Sequence, residues 1–195
     1  MTNATYTCKN GTEVFHAFYS FPQFTSTFTQ SAAMNTFYLD KYFTDYKKIA
    51  SLRDLAVTGT IPLNTSYAYD HTFEITYLSS NFISILENTY EYAGGAHPDS
   101  YYEAHTFSLN TGKQLSLSNL FLSSKANTEK TIKNFLIGEI HSKPDEYDSN
   151  AIDIVKNMPL ESFHFYIKEG NVIIFFNPYE IAPYASGLVK FKYEL

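Results

Sequence analysis

The chain has 195 residues, a formal net charge of −6 at pH 7, and only 14 Lys and Arg side chains. Nucleic-acid binding draws on clustered basic residues, so this composition argues against a nucleic-acid partner and is compatible with a basic one. Aromatic residues make up 17% of the chain, with 17 Tyr, 17 Phe and no Trp, which favours a β-rich fold. No apolar run approaches the length of about 18 residues that a membrane-spanning helix needs.

The start of the chain is polar, and we expect residues 1–11 to form a flexible leader. The single cysteine, Cys8, excludes an intramolecular disulfide and therefore says nothing about the redox compartment. Lipid attachment at Cys8 is disfavoured because the preceding Ala4-Thr5-Tyr6-Thr7 lacks the apolar run of a lipoprotein signal. No secretory signal pattern is present either.

The first predicted elements are a strand over residues 13–21, which Pro22 ends, and a long helix over residues 31–52. Apolar side chains recur every three or four residues in the helix, which indicates one buried face. The stripe expected to be buried consists of Met34, Tyr38, Tyr42 and Ile49. Lys41 and Asp45 are expected to face solvent.

Strands follow in the middle of the chain. Residues 72–77 alternate with period two, and residues 82–92 form a longer strand, so the pair predicts an antiparallel hairpin. A glycine turn then leads into a strand over residues 101–109. A second turn around Gly112 should return residues 114–117 alongside it.

The last part of the chain begins with a second helix over about residues 128–141, for which Asn127 is the expected N-cap. Residues 163–168 and 172–176 form the strongest predicted hairpin, and a last strand contains Val189, Phe191 and Tyr193. Helices grouped against antiparallel hairpins predict the α+β class. We expect one domain over residues 12–195, with two sub-regions at about 12–95 and 96–195.

The segment Tyr92-Ala93-Gly94-Gly95-Ala96-His97-Pro98-Asp99 contains the most compact set of residues that invites a site. Gly94 and Gly95 permit unusual backbone angles, which would hold the His97 imidazole in a defined place. Three interpretations of His97 are open: a structural histidine, a binding-surface residue, or one of a pair of metal ligands with Asp99. The metal reading is poor because no third ligand is near, and we predict no metal or cofactor.

Catalytic motifs are absent from the sequence. It contains no Gly-x-Ser-x-Gly elbow, HExxH, Walker or dinucleotide motif, and we assign no catalytic residue. The enzyme alternative would use His97 with Asp99 or Glu103 as acid and base groups on cell-wall glycan or peptide.

The segment Tyr179-Glu180-Ile181-Ala182-Pro183-Tyr184-Ala185-Ser186-Gly187 is also rich in turn residues and tyrosine. One reading is a structural crossover whose path is set by Pro183 and Gly187. The other is a tyrosine-lined recognition surface. The predicted binding residues of the whole chain are Tyr92, His97, Asp99, Tyr101, Tyr179 and Tyr184.

Three motifs carry a family resemblance: residues 92–97, the run Asn110-Thr111-Gly112-Lys113-Gln114-Leu115-Ser116-Leu117-Ser118-Asn119-Leu120-Phe121, and residues 179–187. With Tyr19-Ser20-Phe21-Pro22-Gln23-Phe24 near the start, the chain resembles the PdaC/RsiV-like extracytoplasmic domain family of bacteria. The positions that match the family signature are Tyr92, Gly94, Gly95, His97, Gly112, Leu120, Phe121, Tyr179, Pro183, Tyr184 and Gly187. Among these we expect Gly94, Gly95, Gly112, Pro183 and Gly187 to be structural.

The resemblance implies a domain displayed outside the cytoplasmic membrane, whether periplasmic, cell-surface or secreted, from which an export signal has been removed. In RsiV-type anti-sigma factors a similar domain binds lysozyme, and in PdaC-type peptidoglycan deacetylases it lies beside a catalytic domain. We therefore expect a non-enzymatic binding or sensing module for an envelope component or a secreted protein, with peptidoglycan and a basic, lysozyme-like protein as candidate partners. A structural envelope-assembly domain is the third alternative. The sequence does not define the oligomeric state.

Overall fold

The computed structural model describes residues 2–7, 11–25, 29–59 and 66–194. Within them the chain forms eight strands and three α-helices, which confirms the α+β class. The strands are β1 (Thr2–Thr7), β2 (Glu13–Tyr19), β3 (Tyr67–Leu78), β4 (Phe82–Tyr92), β5 (Asp99–Ser108), β6 (His164–Lys168), β7 (Asn171–Phe176) and β8 (Val189–Glu194). The helices are α1 (Ser31–Thr58), α2 (Lys125–Ser142) and α3 (Ala151–Asn157). None of the described helices has the length and apolarity to cross a membrane.

The strands form two sheets, a five-stranded one in the order β1-β2-β3-β4-β5 and a three-stranded one in the order β6-β7-β8. β1 pairs antiparallel with β2, whereas β2 pairs parallel with β3. The parallel pair was not predicted, and it arises because α1 connects β2 to β3 as a crossover. β1 was not predicted either, since it falls in the expected leader; Cys8 lies outside the described residues.

The chain divides into two compact units, each built from two stretches of sequence. Unit 1 comprises residues 1–74 and 87–101, and unit 2 comprises residues 75–86 and 102–195. The division falls within β3, β4 and β5, so each of these strands contributes to both units.

In unit 1, α1 packs on β2 through the predicted face. Met34 and Tyr38 are fully buried, as the periodicity predicts, but Tyr42 and Ile49 are only half-buried at the edge of the core. The helix continues to Thr58, six residues beyond the predicted end at residue 52. The core of the unit adds Phe15, Ala17, Tyr19, Leu52, Ala56 and Tyr69.

Unit 2 has its own core between the three-stranded sheet and α2 with α3. The buried members include Ile132, Leu136 and Ile140 of α2, at the predicted helical spacing. The N-cap of α2 is Ser124, whose hydroxyl accepts a hydrogen bond from the Asn127 backbone N–H, so the prediction of Asn127 as the cap was wrong.

The predicted return strand over residues 114–117 is also absent as a strand. Only one isolated bridge forms, between Phe107 and Gln114, and the backbone then enters a short 3₁₀ helix at Leu117–Leu120. The β6–β7 hairpin forms as predicted, in antiparallel register from His164 opposite Phe175 to Lys168 opposite Asn171.

Candidate functional site

The candidate site in unit 2 is the tyrosine loop, residues 177–187, which follows β7. Its first four residues form a β-turn, closed by a hydrogen bond from the Glu180 N–H to the Asn177 carbonyl at 3.1 Å. Pro178 occupies the second position, and Tyr179 occupies the third with φ at 70°. Proline followed by a residue of positive φ is the arrangement of a type II turn, where glycine is the usual third residue. A tyrosine there is held against its backbone preference.

The loop is fixed at its base by buried polar contacts. Asn177 is buried, and its side-chain oxygen accepts from the Tyr102 N–H at 2.7 Å while its amide nitrogen donates to the Tyr102 carbonyl at 3.1 Å. The Glu180 carboxylate accepts from the Asn177 N–H at 2.6 Å. Further along, Ile181 is fully buried and its carbonyl accepts from the Asp148 N–H at 2.9 Å. The turn is therefore anchored on both sides.

The two aromatic rings of the loop lie together at its surface. The ring centroids of Tyr179 and Tyr184 are 5.3 Å apart at an interplanar angle of 33°, and Tyr179 is 62% exposed. Pro183 precedes the short 3₁₀ helix Tyr184–Ser186, and Gly187 ends it at φ 62°. Pro183 and Gly187 therefore lie at the two ends of this short helix, where the backbone changes direction. The loop presents a tyrosine pair on a rigid base.

The predicted site in unit 1 is the loop between β4 and β5. Gly94 and Gly95 have φ angles of 85° and 114°, which only glycine adopts without strain. The Tyr92 hydroxyl donates to the Gly95 carbonyl at 3.0 Å, so this tyrosine braces the loop. The His97 ring is exposed, with Nδ1 lying 2.9 Å from the Pro98 carbonyl. The contact of the ring is thus with the backbone of its own loop.

The other predicted residues of unit 1 are at the surface. Asp99 is exposed and Tyr101 is 45% exposed. The predicted binding residues are thus divided between the units, with Tyr92, His97, Asp99 and Tyr101 in unit 1 and Tyr179 and Tyr184 in unit 2. Within the described residues, no group of three or more His, Cys, Asp or Glu side chains is placed to hold a metal ion.

The sequence did not point to a cavity of about 440 Å³ in unit 2 that contains two histidines. Its walls include Glu103, His105, Gln114, Glu161 and His164. His105 Nδ1 lies 3.0 Å from the Gln114 side-chain nitrogen, and the His164 ring stacks on Phe175 at 5.2 Å.

The charge of one wall of this cavity is already compensated. Glu161 forms an ion pair with Lys125, and the hydrogen bond from the Lys125 ammonium is the main reason that the pKa of Glu161 is lowered. The cavity is consequently lined by a mixture of hydrogen-bond donors and acceptors and is not a purely acidic cleft.

A second group that sequence reasoning missed is the buried cluster of His71, Glu87 and Lys41 in unit 1. His71 Nε2 lies 3.0 Å from Glu87 Oε2, and the two side chains are 0% and 2% exposed. His71 Nδ1 lies 2.8 Å from the Ser20 carbonyl, which only accepts, so Nδ1 carries a proton. The hydrogen bond between His71 Nε2 and Glu87 Oε2 requires a second proton, which is bound to one of these two atoms.

Lys41 and the neighbouring tyrosine complete this cluster. The Lys41 ammonium lies 3.7 Å from Glu87 Oε2 and its side chain is only 17% exposed, so the expectation that Lys41 faces solvent was wrong. Tyr19 stacks on His71 at 4.5 Å and donates to Asp45 at 2.5 Å, which also places Asp45 against the sheet. The pKa of Tyr19 is raised above its ordinary value. Burial of the side chain is the main cause, and the hydrogen bond with Asp45 is the second.

One sequence signal for this cluster existed. Ile83, Ile85 and Glu87 alternate along β4, so Glu87 continues the buried face of the strand. An acid on a buried strand face requires a partner, and that requirement was the available clue. The partner itself lies on another strand, and pairing geometry alone brings it near.

Two family models match different parts of the chain. Residues 8–100 match the family model "Deacetylase PdaC", and residues 118–193 match the model "Protein of unknown function (DUF3298)". These two matches support a PdaC/RsiV-like domain, in which a PdaC-type region is followed by a DUF3298 region. A search of curated proteins found no similar sequence.

Two solved structures share the fold. A crystal structure at 2.30 Å of a DUF3298 family member from Bacteroides fragilis has a TM-score of 0.69 at 17% identity, covering 99% of this chain and 87% of that one. A DUF3298 family protein from Pseudomonas aeruginosa has a TM-score of 0.64 at 15% identity, with the same coverage of 99% and 87%. At these identities the likeness establishes the fold alone.

Proposed function

We propose that this protein is a non-enzymatic extracytoplasmic binding or sensing module whose partner is a secreted protein or a cell-envelope component. The observation that carries the proposal is the conformation of Tyr179, an exposed aromatic residue at positive φ. A strained backbone of this kind costs on the order of 1 kcal/mol or more, and residues held in this way by their surroundings cluster at functional sites. Exposed tyrosines on a rigid base are typical of contact surfaces, because they bury much area with little loss of side-chain freedom.

The charge of the chain supports a basic partner. With 20 acidic and 14 basic side chains, the net charge of −6 attracts a cationic protein and accelerates the encounter. A lysozyme-like protein is basic, and the family resemblance implies a partner of the same class. The proposal includes a location outside the cytoplasm, which is periplasmic, cell-surface or secreted. This part of the proposal is supported by the family resemblance.

Binding is tested by titrating the full chain with a purified basic lysozyme, using calorimetry at two salt concentrations. Cytochrome c serves as a basic protein without lysozyme surface features, and intact peptidoglycan sacculi in a sedimentation assay provide the envelope arm. We expect saturable binding to lysozyme or to sacculi that is weaker at high salt and absent for cytochrome c.

The variant Tyr179→Asn separates the ring from the backbone, because asparagine tolerates positive φ. We expect it to retain or raise the melting temperature and to weaken binding by about tenfold or more, in line with loss of an aromatic anchor. The matched control is Glu169→Asn at the β6–β7 turn, where φ is 52° and no ring is lost.

Equal affinity of Tyr179→Asn and Glu169→Asn would refute the role of the tyrosine loop. Binding to cytochrome c as tight as to the other probes would refute a specific partner and leave only charge attraction.

A further inference from the structure

Helix α1 has a second apolar face that the fold leaves exposed. Its inner face is buried through Met34, Tyr38, Leu52 and Ala56. On the opposite side Leu39, Phe43, Tyr46 and Val57 are between 45% and 54% exposed. A surface helix normally carries one apolar stripe, and contiguous exposed apolar patches mark interaction sites.

The outer face follows the heptad pattern of a coiled coil. Taking Phe43 as an a position, the a residues are Thr36, Phe43, Ala50 and Val57, and the d residues are Leu39, Tyr46 and Arg53. This repeat covers about 30 Å of helix at about 1.5 Å per residue. We call these seven residues the α1 seam. A seam of this kind fits another helix.

Charges beside the α1 seam also recur every seven residues. The e positions are Asp40, Lys47 and Asp54, all exposed, so their signs alternate along the helix. On the other flank the g positions include Tyr42 and Ile49, which pack toward the core of unit 1. A parallel partner helix would oppose e to g residues and leave the charges unmatched. An antiparallel partner opposes e to e.

We propose that the α1 seam is the interface of a homodimer, in which α1 pairs antiparallel with α1 of a second copy of this chain. In the register that sets Phe43 beside Tyr46 of the second copy, Leu39 faces the small Ala50 of that copy. The same register places Asp40 beside Lys47 of the second copy. Because the interface has twofold symmetry, this opposite-charge contact occurs twice. The charge pattern therefore selects a second copy as the occupant.

The test is the oligomeric state of the full chain, measured by sedimentation velocity from low micromolar to submillimolar concentration. We expect a concentration-dependent dimer for the natural sequence. Phe43→Asp is expected to give a monomer with an unchanged circular dichroism spectrum, because this ring is exposed at 54% and a charge would enter the centre of the seam.

Charge reversal tests the register itself. Asp40→Lys and Lys47→Asp each create two like-charge contacts, and we expect each to weaken dimerisation by about tenfold or more. Mixing the two variants restores both opposite-charge contacts, so the heterodimer should form more tightly than the homodimer of either variant. The double variant Asp40→Lys with Lys47→Asp should also dimerise. Asp54→Lys is the control for a charge reversal at an e position that faces no charged residue of the second copy in this register; within its own chain Asp54 pairs with Arg53.

A natural sequence that stays monomeric throughout this concentration range would overturn the proposal. Dimers that persist in Phe43→Asp would place the interface elsewhere, and dimers that are equally sensitive to Asp54→Lys would overturn the register. None of these measurements involves lysozyme or sacculi, so they stand or fall independently of the proposed binding function.

Discussion

Replacing Glu87 with leucine should destabilise unit 1 strongly, because it removes one partner of a buried ionic cluster. His71 and Glu87 are 0% and 2% exposed, so solvent screens their interaction little. In Glu87→Leu the Nε2 atom of His71 and the ammonium of Lys41 lose Glu87 Oε2, the oxygen that both contact. Breaking a buried pair from one side costs about 3 to 5 kcal/mol. Glu87→Gln keeps a hydrogen-bonding oxygen and should cost less, about 1 to 3 kcal/mol.

The assay is urea denaturation at neutral pH, followed by circular dichroism, with the free energy of unfolding taken from linear extrapolation. The matched control is Glu91→Leu, four residues further along β4. Glu91 pairs with Lys48, but these side chains are 22% and 53% exposed, so the pair is a surface ion pair. Its loss should cost no more than about 1 kcal/mol. A cost below about 1 kcal/mol for Glu87→Leu, or equal costs for both variants, would refute the reasoning.

Three further predictions concern alkaline pH and two glycines. Burial raises the pKa values of Tyr19 and Tyr69 in the folded state, so this contribution to stability is present below the unfolded value of about 10 and is lost as the pH rises above it. Urea unfolding at rising pH should show a shallower loss above about pH 10 in Tyr19→Phe than in the natural sequence; parallel curves would contradict this. Gly94→Val should cost about 1 to 3 kcal/mol in the same assay, because φ is 85° there, and a neutral result would show that the loop adapts. Gly138→Ala should stabilise the protein by about 0.5 to 1 kcal/mol, since this exposed position of α2 leaves open space for a Cβ; a lower melting temperature would contradict the prediction.

Local patterns determined most of the secondary structure. The strand Phe82–Tyr92 and the hairpin around Gly170 follow from period-two alternation and turn residues, which act over a few neighbouring positions. Both long helices were also predictable from a local pattern, because apolar residues recur every three or four positions along them. Glycine at positions 94 and 95 permits the positive φ angles that both residues adopt, but the residue type does not by itself require them.

The tertiary structure alone decided which polar side chains contact one another and which aromatic residue has a strained backbone. His71, Glu87 and Lys41 are far apart in sequence, and only the pairing of strands and the docking of α1 bring them within 3.0 to 3.7 Å. The strained backbone of Tyr179 likewise could not be read from the chain, because tyrosine rarely takes positive φ and the turn is imposed by anchoring on either side. Sequence patterns record which face a residue prefers, whereas its partner depends on contacts between distant segments, and a single sequence does not encode those contacts as a local pattern.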